Sequence, residues 1–187
     1  RQALAHKPKG SVLVVDEAYI DFCDAPSCVS WVNDYDDLLV LRTFSKIYGM
    51  AGQRVGYALM PADMIKEFYA FQLMSNVNKL GLVAASASLD DVAHYKDMKA
   101  KITLGREKLV AMARDIGRPI AENPQGNFIY MDTGINADEF AKAMLAKGVR
   151  LSGARWKERS EWSRICVGLP HEIEKCHAAA KEILTSI

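Results

Sequence analysis

Residues 38–57, LLVLRTFSKIYGMAGQRVGY, constrain this chain more than any other stretch. An apolar run at residues 38–41 reads as a buried strand. A polar turn with Thr43, Ser45 and Lys46 follows, then a loop broken by Gly49 and Gly52, and a further strand opens at Arg54. A lysine between two hydrophobic strands is costly to place near a core, so its position asks for an anionic or electrophilic partner. Such a lysine can serve as a Schiff-base nucleophile, although most lysines only extend their charge into solvent. Its company favours the first reading: two hydroxyls, a glycine-loosened backbone and the guanidinium of Arg54 make a small anion cradle suited to a phosphate.

Composition narrows the partner. Half of the 187 residues are hydrophobic and a quarter charged, enough for a sizeable core in one large domain or two small ones. The 24 basic and 23 acidic residues leave a net charge of +1, which offers no field for nucleic acid or an anionic membrane and directs attention to a small molecule. Cys23, Cys28, Cys166 and Cys176 lack C-x-x-C spacing, so neither zinc nor a redox pair is expected, and no metal site is predicted. Reduced thiols fit a cytoplasmic protein. No apolar run approaches the length that crosses a bilayer, and nothing at the start resembles a signal peptide. A beginning at Arg1 rather than methionine raises the expectation of further sequence upstream.

Along the chain, residues 11–15 (SVLVV) form a continuous apolar run ending in Asp16 and Glu17. This suits a strand buried on both faces of a parallel sheet, with acids at the carboxyl end where open α/β sheets place ligands. Residues 55–60 give a third strand, closed by Pro61. Helical spacing predicts one helix from Ala62 through residues 71–73, a tightly packed alanine-rich one at residues 80–89, and a long one at residues 91–116 ended by Gly117 and Pro119. Strands are expected at residues 127–131, 149–151 and 164–167, and helices from a capping-box-like Asn136 through Lys147 and at residues 171–185. The expected fold class is α/β, a mostly parallel sheet with flanking helices over residues 1–95, followed by a small α+β domain over residues 96–187.

Asp16 and Tyr19 lie three apart beyond a strand end and can face one crevice. A strand ending in Asp-Glu also suits a nucleotidase, but the chain has no G-x-x-x-x-G-K-[ST] loop.

VVDEAYIDF, LRTFSKIYGMAGQRVGYAL and SRICVGLP, taken in that order, resemble the fold type I pyridoxal-phosphate aminotransferases, most closely the histidinol-phosphate aminotransferase group. The resemblance covers nearly the whole chain and is similar to the C-terminal half of such an enzyme: the end of the large cofactor domain, then the small domain. It implies pyridoxal 5'-phosphate as cofactor, with Lys46 forming the Schiff base and shuttling the proton. Asp16 would pair with the pyridine nitrogen, Tyr19 with the phenolic oxygen, and Arg54, Thr43 and Ser45 with the phosphate. Arg164 would bind the anionic end of the substrate, with Asn127 approaching it. Ser152 occupies the place of a second arginine usual in this group, and Arg155 is the expected substitute, which leaves the substrate open. The resemblance implies a homodimer that exchanges an amino group between an amino acid or amino-alcohol phosphate and a 2-oxo acid. Alternatives are a decarboxylase or lyase of the same fold, or a catalytically silent fragment.

Overall fold

The apolar runs on either side of residues 23–37 become neighbouring strands in a computed structural model that describes residues 1–73 and 75–185. After a short helix α1 (Gln2–His6), β1 (Leu13–Asp16) lies parallel to β2 (Leu38–Thr43), and β3 (Gly56–Leu59) returns antiparallel on the other side of β2. The register pairs Asp16 with Leu41 and Thr43 with Gly56, so the carboxyl ends of β1 and β2 fall at one end of the sheet. Gly56 is required there, because a Cβ would stand 2.9 Å from the Arg42 carbonyl oxygen.

Leu38, Leu39 and Val40 of the central strand are buried. β1 departs from the expected double burial: Leu13 and Val15 turn toward Val32, Leu38 and Val40, whereas Val14 and Asp16 are exposed. As an edge strand it has only one covered face.

Helices α2 (Ala62–Tyr69), α3 (Lys79–Asp90) and α4 (Val92–Ile116) follow. α2 stops short of the predicted end: Phe71 and Gln72 donate to carbonyls three residues back, and Phe71 is 88% exposed. With Phe71 and Leu73 exposed, no apolar burial among the described residues supports a further helical turn. α3 is also packed differently from expectation. Its small residues Gly81 and Ala85 are buried, against a cluster of Phe44, Met50 and Val55, while Leu80, Leu82, Val83 and Leu89 are exposed.

The chain divides into two compact units, Arg1–Asp97 and Met98–Ile187, with the division inside α4. In the second unit β4 (Phe128–Asp132) pairs antiparallel with β5 (Trp162–Cys166). Helices α5 (Ala137–Ala146) and α6 (Pro170–Thr185) complete it. Period-two alternation sends Ile129, Met131 and Ile165 into a core with Leu109, Met112, Phe140, Met144, Ala180 and Leu184. Asn136 caps α5 as its position predicts, its Oδ1 accepting from the Asp138 and Glu139 N–H groups at 2.9 and 3.4 Å.

Residues 149–151 form no strand. Gly148 takes the left-handed conformation that ends α5, and the Val149 N–H closes back on the Met144 carbonyl at 2.9 Å. The apolar alternation instead places Val149 and Leu151 against the core.

Two expected results arise from this unit. Burial pushes the Cys176 thiol up to about 11, whereas Cys166 is exposed. A neutral thiol reagent will therefore modify Cys166 in the native protein and Cys176 only on unfolding, as read by peptide mass spectrometry.

Asp115 Oδ2 accepts from Lys181 Nζ at 2.9 Å and from His177 Nε2 at 2.8 Å, and these two bonds hold its carboxyl below the ordinary value of 3.8. A carboxyl depressed by folding stabilises the native state above its unfolded pKa, and the contribution disappears as the pH falls through the folded value. Asp115→Asn will thus lower the urea midpoint at pH 7 slightly. Its difference from the parent will begin to shrink below about pH 4 and vanish under the folded value.

Candidate active site

The common carboxyl end of β1 and β2 opens into a cleft of about 620 Å³ bordered by Asp16, Arg42, Thr43, Ser45, Lys46, Arg54 and Tyr57. Asp16 is the last residue of β1, on its exposed face, and its Oδ1 accepts the Ala18 N–H at 2.9 Å. This turn leads to Tyr19. Among the described residues Asp16 has no cationic partner.

Thr43 ends β2, and its hydroxyl oxygen accepts the Ser45 N–H at 3.0 Å, which bends the chain into the lysine turn. Its own O–H reaches the Val55 carbonyl at a loose 3.5 Å. Ser45 and Lys46 are half-buried. The Lys46 ammonium lies 5.1 Å from the centre of the Tyr19 ring and, among the described residues, has no hydrogen-bond or ion-pair partner. The ring contact places Tyr19 beside the lysine.

The loop that follows folds back on Phe44, whose carbonyl accepts from Met50 and whose N–H donates to Val55, both at 3.1 Å. Arg54 sits between two anchors: the carbonyl of Gln53, held by Asn78 Nδ2 at 2.8 Å, and the buried Val55. These fixed neighbours impose a left-handed backbone on Arg54, with φ 56°. Its guanidinium donates to the Ala51 carbonyl at 2.7 Å and borders the cleft.

Asn127, Arg155 and Arg164 belong to the second unit. Arg164 pairs with Tyr130 across the sheet, and its guanidinium stacks 3.9 Å from the Phe128 ring centre. Asn127 precedes β4 and its carbonyl accepts from Val167 at 2.9 Å; its buried Oδ1 meets no donor among the described residues. The loop before it is fixed by the buried Arg106, which donates to the Gln125 and Gly126 carbonyls at 3.0 Å. Arg155 is exposed, 5.6 Å from the Trp156 ring centre.

Sequence reasoning missed Glu17, Ser27, Arg42 and Arg106. The signal available for Glu17 was the acid doublet itself: neighbouring strand residues face opposite ways, so only one of the two can reach the cleft.

A mixed α/β unit thus presents a lysine, an arginine, hydroxyls and a carboxylate around one cleft at its strand ends. The model of aminotransferase classes I and II matches residues 2–183, and the chain belongs to this family. It is 34% identical over 98% of its length to a histidinol-phosphate aminotransferase of Symbiobacterium thermophilum, covering 51% of that protein. It is 37% identical over 86% of its length to the enzyme of that name from Limosilactobacillus fermentum, covering 44% of it. The chain thus spans about half the length of the curated relatives it matches. Among solved structures, the histidinol-phosphate aminotransferase of Sinorhizobium meliloti in complex with pyridoxal-5'-phosphate superposes with a TM-score of 0.83 at 27% identity, over 96% of this chain and 50% of that one.

Proposed function

We propose that the chain is the lysine-bearing part of a pyridoxal-phosphate-dependent aminotransferase, moving an amino group between a histidinol-phosphate-like amino donor and a 2-oxo acid. One observation carries the reading: the Lys46 amine, without a hydrogen-bond or ion-pair partner among the described residues, shares a single cleft with Asp16, Thr43, Ser45 and Arg54. Their donor chemistry fits the cofactor. An amine suits its aldehyde, a guanidinium and hydroxyls suit its phosphate, and a carboxylate without a cationic partner suits a protonated ring nitrogen.

Pyridoxal phosphate, when bound, supplies an electron sink for the carbanion left by loss of the substrate α-proton. Lys46 would hold the cofactor through its aldehyde and would move the substrate's α-proton. Asp16 would keep the ring nitrogen protonated, and Tyr19 would donate to the phenolic oxygen. Arg54 and the Ser45 hydroxyl would hold the phosphate. Thr43 would turn its O–H from the loose bond to the Val55 carbonyl toward the phosphate, while its oxygen keeps shaping the turn. Arg164, braced by the Phe128 ring, would take the anionic end of the substrate, with Asn127 and Arg155 as further contacts. The working form is a cytoplasmic homodimer. No helix among the described residues is long and apolar enough to cross a membrane.

The test is a single-turnover reaction of the full-length protein, loaded with pyridoxal phosphate, against histidinol phosphate or L-glutamate. Pyridoxamine phosphate and an oxo product are expected. Carbon dioxide with an amine product would make the protein a decarboxylase, and failure to take up the cofactor would overturn the reading.

A further inference from the structure

The residues given roles above sit at the ends of two strands whose ladder stops at the edge of the cleft. The Glu17 N–H makes the last ladder hydrogen bond there among the described residues, to the Leu41 carbonyl at 2.9 Å. Beyond it, the spacing between the Asp16 and Tyr19 turn and the Lys46 turn depends on side chains.

On the sheet face opposite Asp16, Glu17 is 6% exposed and fully engaged. Its Oε2 accepts from Arg42 Nε and Ser27 Oγ, both at 2.8 Å, and its Oε1 accepts the Cys28 N–H at 2.6 Å. Arg42 uses its other nitrogens as well. Nη2 donates to Ser27 Oγ at 2.9 Å, and Nη1 lies 3.7 Å from Asp21 Oδ1, which also accepts from the Tyr95 hydroxyl at 3.3 Å.

We infer that the pair of buried Glu17 and half-buried Arg42 is a positioning device for the cofactor site. Glu17 is bonded to the chain directly after Asp16, and Asp21 stands two residues after Tyr19. Arg42 is the residue before Thr43 and four before Lys46. One guanidinium thus spans the strand end that presents the ring contacts and the strand end that presents the lysine and phosphate contacts. A fork with fixed donor directions sets a spacing, which a point charge does not. Glu17 lies outside the lining of the cleft; Arg42 borders it, and in this role acts through its bonds to Glu17 and Ser27. The inference rests on the functional reading above and adds to it residues that act through others.

The experiment uses full-length protein with Glu17→Gln, Arg42→Lys and the milder Ser27→Ala, which loosens the pair without stranding a charge. Val32→Ala, a core truncation in the same unit, serves as a control for lost stability. Pyridoxal phosphate affinity by fluorescence titration and the visible absorption maximum of the bound cofactor are read beside thermal unfolding. Arg42→Lys and Glu17→Gln are expected to weaken the cofactor about tenfold and displace the absorption maximum, and Ser27→Ala to do so less. Val32→Ala will unfold earlier with both site readouts unchanged. If a charged-pair variant does not fold, Ser27→Ala still reports. Variants that lose stability but keep the parent affinity and spectrum would make the pair a structural element only and overturn this inference alone. A parent that takes up no pyridoxal phosphate overturns the functional reading, and this inference with it.

Discussion

Lys46→Ala is expected to lower the amino-transfer rate by at least about 10²- to 10⁴-fold, the span a positioned proton-transfer group contributes. It will also abolish the visible absorption that marks pyridoxal phosphate held covalently by the protein. Both effects follow from one side chain, because among the described residues no second lysine lines the cleft. Stability should hardly change. Lys46 makes no hydrogen bond or ion pair among the described residues, and its contact with the Tyr19 ring at 5.1 Å is of the kind worth about 0.5–1 kcal/mol at exposed sites. Steady-state kinetics, absorption spectra and thermal unfolding on one preparation check all three. Unchanged absorption in the variant would remove Lys46 from the role.

The contrast between Lys46 and Glu17 explains what sequence could reveal. Lys46 stands out because an isolated cation between two apolar runs violates the pattern around it, and Arg54 follows at a spacing that reads as part of the same motif. Asp16 and Tyr19 read as neighbours beyond a strand end, a spacing that also suits a turn aspartate with a half-buried tyrosine, and only the family resemblance gives them roles. Glu17 and Arg42 were not legible, since a charged residue beside a strand end looks solvated until the facing strand supplies its partner, and that partner is 25 residues away. Arg106 was hidden for the same reason, its two carbonyl acceptors lying 19 and 20 residues on.

Fold legibility followed the same division between local and distant causes. The ends of α4 and the Asn136 cap were readable because they depend on neighbours within a few residues. The fate of residues 149–151 depended instead on whether a ladder partner existed, and among the described residues none does. The exposed leucines of α3 show the limit of apolar content as a guide. Its contact with Val55 is made by Gly81, where a Cβ would stand 2.7 Å from Val55 Cγ2.

Arg54 offers the second large effect, and one that separates charge from backbone. Removal of its guanidinium is expected to weaken pyridoxal phosphate about 10²-fold, because each hydrogen bond to a charged group is worth about 1.5–3 kcal/mol and every 1.4 kcal/mol is tenfold. Arg54→Ala and Arg54→Gly should lose affinity alike. Their stabilities without cofactor should differ, since an L-residue held at φ 56° stores about 1–2 kcal/mol that glycine does not. Glycine gives back part of that through its freer unfolded chain, about 0.5–1 kcal/mol. The glycine variant should therefore unfold at a higher temperature than the alanine variant while binding the cofactor no better. Arg54→Lys restores the charge without the fork or the bond to Ala51, so its affinity should fall between parent and Ala. Had the left-handed backbone been a property of the side chain, relieving it would move affinity and stability together. The anchors at Gln53 and Val55 predict that they move apart, because the loop keeps its shape whichever residue stands at position 54. A glycine variant that bound the cofactor as tightly as the parent would take Arg54 out of the phosphate site.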